Sequence, residues 1–233
     1  MLLSSLAILL FGYLIGSIPF GLIVVKIATG RDVRRIESGR TGGTNAMRAA
    51  GLLAGIVTAV LDISKGLVAG LIALWLMPGH TWLQVFGALL AVLGHNYSIF
   101  LAERDSQTGK LRLRGGAGGA PAFGGALALW PSSWMIILPL AVIVFLFVGY
   151  ASLTTISVTV STTMVFLWRA WLGLSPWSYV VYGILATMIV VWALRPNLER
   201  LKQGTERLVG LRAYLKKKAS HLSHSDAQQQ QSS

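Results

Sequence analysis

The chain has 233 residues, of which 54% are hydrophobic and 12% charged, with no cysteine. A water-soluble domain carries about twice that share of charge, so most of this surface must face hydrocarbon, and disulfide or cysteine-based metal chemistry is excluded. The 20 Lys and Arg against 8 Asp and Glu give a net charge of +12; these residues fall in segments between apolar runs, which points to anionic lipid and an anionic substrate, not nucleic acid.

Apolar segments cover residues 2–28, 52–77, 82–101, 117–130, 134–150, 152–168 and 177–194. Most approach the ~20 residues a helix needs to cross a bilayer core, so the expected fold is all-α, a polytopic bundle of about seven transmembrane helices. The first segment lacks a basic leader and a small-residue cleavage site and runs too long for a signal peptide, so it reads as a membrane helix. The fourth is short and glycine-rich, as a broken or partly re-entrant helix would be. Pro78, Trp82, Trp130, Trp134, Trp168, Trp171 and Trp177 mark segment ends, where interfacial rings are favoured.

Basic residues set the orientation. Lys26, Arg31, Arg34, Arg35, Arg40 and Arg48 follow the first segment, Arg104, Lys110, Arg112 and Arg114 the third, and Arg195, Arg200, Lys202, Arg207 and Arg212 the last. The positive-inside rule places these segments in the cytoplasm, with the amino terminus outside and the carboxyl terminus inside. Residues 1–215 form the membrane domain, and 216–233 a basic and then polar tail expected to be disordered. Lys216, Lys217 and Lys218 either rest on anionic headgroups or are simply solvated.

Three polar features stand out. The loop from Glu37 to Arg48 carries Ser38, Gly39, Arg40, Gly42, Gly43, Thr44 and Asn45. Its glycines let backbone amides approach an anion, its hydroxyls and amide donate, and a helix starting near Thr44 adds a positive dipole end; the alternative is a merely flexible loop. The stretch Arg114-Gly115-Gly116-Ala117-Gly118-Gly119 forms either a second anion nest or a close helix-packing surface. Asp62 and Lys65 share a face of the second span and can pair; such intramembrane charges, with His95-Asn96 on the third, belong inside the bundle or beside a wet cavity.

Together these segments resemble the PlsY family of bacterial acyl-phosphate:glycerol-3-phosphate acyltransferases, nearly end to end. The resemblance rests on Gly16-Ser17-Ile18-Pro19-Phe20-Gly21, the loop with Ser38, Gly42-Gly43-Thr44-Asn45 and Arg48, and Leu61-Asp62-Ile63-Ser64-Lys65-Gly66. Gly94-His95-Asn96, the double-glycine stretch, Asn197-Leu198-Glu199-Arg200-Leu201 and Gly204-Thr205-Glu206 complete it. It implies acyl transfer from acyl phosphate to the 1-hydroxyl of glycerol 3-phosphate, giving lysophosphatidic acid for phospholipid synthesis. It further implies a monomer in the bacterial inner membrane that uses neither metal nor other cofactor. By position, Ser38, Arg48 and Asn197 are the expected catalytic residues. Thr44, Asn45, Gly115, Gly116, Gly118, Arg114, Glu206, Ser152 and Thr154 are expected to bind substrate or phosphate.

The chain departs from the family's second motif, Gly-Gly-Lys-Gly-Val-Ala-Thr: the lysine is Ala117 and the threonine Pro121. In the third motif the histidine is Leu194. The loop before the second motif is longer, with Gln107, Thr108, Gly109 and Lys110 resembling an inserted turn, and Lys110, Arg112 or Arg114 could supply the missing charge. Alternatives are a degenerate homologue with a binding or altered transferase role, and a small transporter using the Asp62–Lys65 pair.

Overall fold

The computed structural model describes residues 2–104 and 108–231, with side chains described to residue 220. Gln107 of the inserted turn, residues 232–233 and the side chains of the polar tail lie outside the described residues. Eleven α-helices are described: α1 (Leu2–Ser17), α2 (Phe20–Thr29), α3 (Gly43–Ala50), α4 (Leu52–Leu76), α5 (Thr81–Asn96), α6 (Gly119–Leu129), α7 (Trp134–Ile143), α8 (Ala151–Trp171), α9 (Trp177–Ala193), α10 (Arg195–Lys202) and α11 (Gly210–Gln231). A two-stranded hairpin, β1 (Ser98–Arg104) and β2 (Leu111–Arg114), lies between α5 and α6. By length and composition four helical stretches among the described residues can cross a membrane: Leu2–Thr29, Leu52–Leu76, Pro131–Val148 and Ala151–Trp171. A fifth forms if α9 and α10, bent by 64°, count as one span.

The first apolar segment is not one helix. Pro19 has no N–H to continue the ladder, and α1 stops at Ser17 while α2 begins at Phe20. Backbone freed at such a break needs partners inside the protein. They are present: Ser98 Oγ donates to Ser17 O at 2.5 Å and Lys65 Nζ to Ile18 O at 2.8 Å.

The third segment also ends early. Its helix stops at Asn96, and Ile99, Phe100 and Leu101 belong to β1, whose Glu103 pairs with Arg112 and Arg104 with Leu111. A short apolar run cannot be told from a helix end by periodicity alone; here pairing with β2 decides it. The α6 helix is short, as expected from its glycines, at 11 residues. At the other end, α11 continues through the segment expected to be disordered from Lys216; alanine, leucine, lysine and glutamine there are all strong helix formers.

Small residues bring the helices together. A Cβ on Gly66 of α4 would lie 1.9 Å from Pro121 O, and one on Gly124 of α6 would lie 1.9 Å from Ile63 O. This reciprocal contact brings two backbones into touch where no side chain fits. The main core joins α5, α6, α8 and α9 through Val85, Leu89, Phe123, Phe166 and Tyr182. The Tyr182 hydroxyl, fully buried, donates to Ala122 O at 2.7 Å. Outside this core the helices present leucine, isoleucine and tryptophan outward: Trp75 is 82% exposed and Trp171 80%, as befits a surface solvated by lipid.

Candidate active site

The glycine-rich loop is built around one amide. Asn45, on the first turn of α3, donates from Nδ2 to Val33 O (3.1 Å), Ile36 O (3.0 Å) and Arg40 O (2.9 Å). Its donors are thus committed to shaping the loop and are not free for phosphate. The loop's outer turn is closed by Asp32, which accepts from the backbone N–H of Arg34 at 2.9 Å and from its guanidinium at 2.7 Å. The Arg34 guanidinium holds the Asp32 carboxyl at about 2, and the same arginine bonds Glu103 of β1.

Two helix N-termini converge on a cavity of about 650 Å³. One is that of α3, with Gly42, Gly43 and Thr44; the other is that of α6, with Gly118, Gly119 and Ala120. Gly118 caps α6 at φ +89°, and a Cβ there would lie 2.7 Å from Asn96 Oδ1, so both conformation and space require glycine. Aligned N–H groups at such ends favour an anion.

A third wall comes from the chain's far end. The bend between α9 and α10 turns Asn197 inward, and Val209 N–H donates to Gly149 O at 2.8 Å, pinning the segment before α11 to the start of α8. Glu206 there accepts from Ser152 Oγ at 2.7 Å and from Asn197 Nδ2 at 3.4 Å. Burial pushes the Arg48 guanidinium below its ordinary range, and the charge of Glu206 opposes that shift.

Most of the residues singled out in the sequence meet in this one cavity. Ser38, Thr44, Asn45 and Arg48 line it from the first motif, Gly118 from the second, and Ser152, Thr154, Asn197 and Glu206 from α8 to the C-terminal segment. Asp62 of α4 and His95 of α5 reach it from inside the helix bundle.

Gly115, Gly116, Lys65 and Arg114 do not line it. The two glycines pack on the end of α5: Gly116 N–H donates to His95 O at 2.9 Å, and a Cβ on Gly116 would fall 1.9 Å from His95 Nε2. Lys65 lies behind, 2.8 Å from Asp62 Oδ1 and 3.0 Å from His95 Nδ1. Arg114 faces Glu103 across the hairpin at 3.3 Å. Neither Lys110 nor Arg112 is part of the lining, so the enlarged loop does not bring a cation to the place of the missing lysine.

Three further arginines face the cavity: Arg40, Arg200 and Arg207. Arg207 pairs with Glu37. The Arg40 guanidinium donates to Gly116 O at 2.9 Å and also to Ala193 O. Arg40 belongs to the glycine-rich loop, whose composition is the signal that could have identified it. Arg200 lies inside the motif Asn197-Leu198-Glu199-Arg200-Leu201, which is the signal that could have identified it; nothing in the sequence sets Arg207 apart from the other basic residues near the C-terminus.

Away from this polar mouth the lining is apolar. Ile56, Ile63, Phe123, Ile137, Ala141 and Val158, from α4, α6, α7 and α8, form a slot between the helices. The cavity therefore joins an anion-binding mouth to a space suited to an alkyl chain.

The family model for glycerol-3-phosphate acyltransferase matches residues 6–204. The chain belongs to the glycerol-3-phosphate acyltransferase family. Among relatives bearing that family's name, one from Thermus thermophilus is 37% identical over 211 residues, which are 88% of this chain and 95% of the relative. Glycerol-3-phosphate acyltransferase 2 of Moorella thermoacetica is 36% identical over 208 residues, 88% of this chain and 97% of its own. The crystal structure of PlsY (YgiH), an integral membrane glycerol 3-phosphate acyltransferase, in its glycerol 3-phosphate form superposes with a TM-score of 0.76 at 32% identity. That likeness covers 91% of this chain and 98% of the crystal structure. The lysophosphatidic acid form gives a TM-score of 0.74 over the same shares. Membership of an acyltransferase family displaces the transporter reading of the Asp62–Lys65 pair, and the protein is an integral membrane protein.

Proposed function

We propose that this protein transfers an acyl group from an acyl phosphate to the 1-hydroxyl of glycerol 3-phosphate, releasing lysophosphatidic acid and inorganic phosphate. The observation that carries this reading is one cavity that has both a cationic mouth and an apolar slot: the reaction passes one alkyl chain from a phosphoryl group to a second phosphorylated molecule. The acceptor oxygen attacks the acyl carbonyl carbon, the bond from that carbon to the phosphate oxygen breaks, and the hydroxyl proton leaves with phosphate. The acyl group arrives already activated, so the protein needs no nucleophile of its own. Its work is alignment and charge stabilisation.

Arg48 and Ser38 are suited to hold the phosphate of the acceptor, with Thr44 at the N-terminus of α3. The N–H groups opening α6 are suited to stabilise negative charge that develops on the carbonyl oxygen. Ser152, Asn197 and Glu206 form a hydrogen-bonded set that orients the acceptor's hydroxyls, with Thr154 beside them. The acyl chain lies in the slot between α4, α6, α7 and α8. All of these groups lie within one chain, so the proposed chemistry needs no residue from a second subunit and is compatible with a monomer. The mouth lies among the basic segments, so it faces the cytoplasm of a bacterial inner membrane, with the amino terminus on the opposite side.

The test is acyl transfer by the purified protein in lipid, with palmitoyl phosphate and labelled glycerol 3-phosphate, beside a Ser38→Ala/Arg48→Ala control. Lysophosphatidic acid from the wild type and not from the control is expected. No product from a folded wild-type protein would refute the reading and leave a non-catalytic member of the family.

A further inference from the structure

We propose that Arg40 is the cation that holds the phosphoryl group of the acyl donor, in place of the lysine absent at Ala117. This inference rests on the acyltransferase reading above and assigns one of its binding groups.

The argument begins with an electrostatic imbalance. Arg40 is partly buried, and among the described residues no carboxylate lies within ion-pair distance of it. Its charged neighbour is instead another cation, Arg200, and burial together with that neighbour pushes its guanidinium below the ordinary arginine range. A partly desolvated cation facing like charge is unfavourable unless an anion completes it. Arg207, by contrast, already has Glu37, and Arg48 has the charge of Glu206 nearby. Arg40 and Arg200 thus leave the least compensated positive charge in the cavity lining.

Geometry then places the anion. Arg40 donates to Gly116 O and Ala193 O, which fixes the guanidinium between the glycine stretch and the end of α9. Two of its five N–H donors make these bonds, so three remain. Gly116 directly precedes Ala117, and Gly118 begins the helix end that faces the cavity. The apolar slot runs along that same helix past Phe123. An acyl chain in the slot therefore puts its terminal phosphoryl group at the start of α6, where helix dipole and guanidinium act together. The cation comes from the first glycine-rich loop rather than from the second, and its bond to Gly116 O sets it next to the backbone that leads into Ala117.

The test is steady-state kinetics of the full chain in lipid with palmitoyl phosphate and glycerol 3-phosphate. Arg40→Ala should raise the KM for palmitoyl phosphate by about ten- to hundredfold, the loss expected of a charge-assisted contact, with the KM for glycerol 3-phosphate within about twofold of wild type. Arg40→Ala/Ala117→Lys, which returns a cation to the glycine stretch, should recover most of that loss; a merely structural role for Arg40 would not be rescued from Ala117. If Arg40→Ala does not fold, Arg40→Lys replaces it, with the donor KM raised and the acceptor KM steady. An unchanged donor KM, an equal rise in both KM values, or no rescue by lysine at 117 would overturn the assignment while leaving wild-type activity, and hence the acyltransferase reading, intact. A wild type inactive with both substrates would remove both.

Discussion

Lys65 completes a broken helix, and a double-mutant cycle with Asp62 tests that role. The two side chains are 2% and 1% exposed and 2.8 Å apart. Lys65→Met leaves the Asp62 carboxylate without its ammonium and Ile18 O with the Phe20 N–H alone, at 3.0 Å; Asp62→Leu leaves the ammonium without its carboxylate. Removing one partner of a buried pair costs about 3–5 kcal/mol. At about 2–4 °C per kcal/mol for a chain of this size, each single variant should melt roughly 6–20 °C below wild type. The double variant Asp62→Leu/Lys65→Met strands no charge. It loses chiefly the bond to Ile18 O, about 1–3 kcal/mol, so it should melt above either single variant. Intrinsic tryptophan fluorescence of protein in detergent reads all four melts. Additive losses, with the double variant lowest, would show that the two residues act independently and would refute the reasoning.

Two further outcomes follow from contacts that hold the loops behind the cavity. Gly116→Ala places a methyl group where His95 Nε2 now lies, at 1.9 Å, and His95 is held by Lys65 at 3.0 Å; acyl transfer should fall at least about tenfold and stability by about 1–3 kcal/mol or more, and an alanine variant with wild-type kinetics would mean that the loop does not need this contact. Asp32, held at about 2 against an ordinary 3.8, contributes stability that is complete above 3.8 and lost as pH falls toward 2; melts between pH 5 and 2 should lose a pH-dependent part in Asp32→Asn, and identical slopes would refute the contribution.

The membrane class and the positions of most helices are legible in the sequence, because each depends on local composition; composition leaves the first-motif loop open between an anion cradle and a flexible loop, and it lines the cavity. What is not legible depends on partners far along the chain. Arg40 bonds carbonyls 76 and 153 residues away, so its place at the start of α6 cannot be read from the loop that carries it. Asn45 shows the reverse difficulty: the residue lines the cavity, but its donors turn back into the loop. The end of α5 fails for a third reason. Ile99, Phe100 and Leu101 are apolar enough for a span, but they fall in an irregular stretch between Ser98 and Ala102, whose pairing with β2 sets the strand.

The intramembrane charge is also the floor of the site. Ile18 O, left by the break at Pro19, accepts from Lys65; Lys65 pairs with Asp62 and bonds His95; His95 packs against Gly116; and Gly116 O accepts from Arg40. These contacts form one continuous path from the broken first segment to the cavity mouth. Each member removes a local defect: a carbonyl at the break between α1 and α2, a buried ammonium, a glycine stretch with no side chains to anchor it. A helix break that would be unfavourable in lipid thus becomes a reason to bury a charged pair, and the pair in turn fixes the histidine on which the glycine stretch rests. The same chain of contacts explains why a polar cluster at membrane depth needs no transport path. Its consequence is positional: the N-terminus of α6 faces the cavity because the residues beneath it are held by charge.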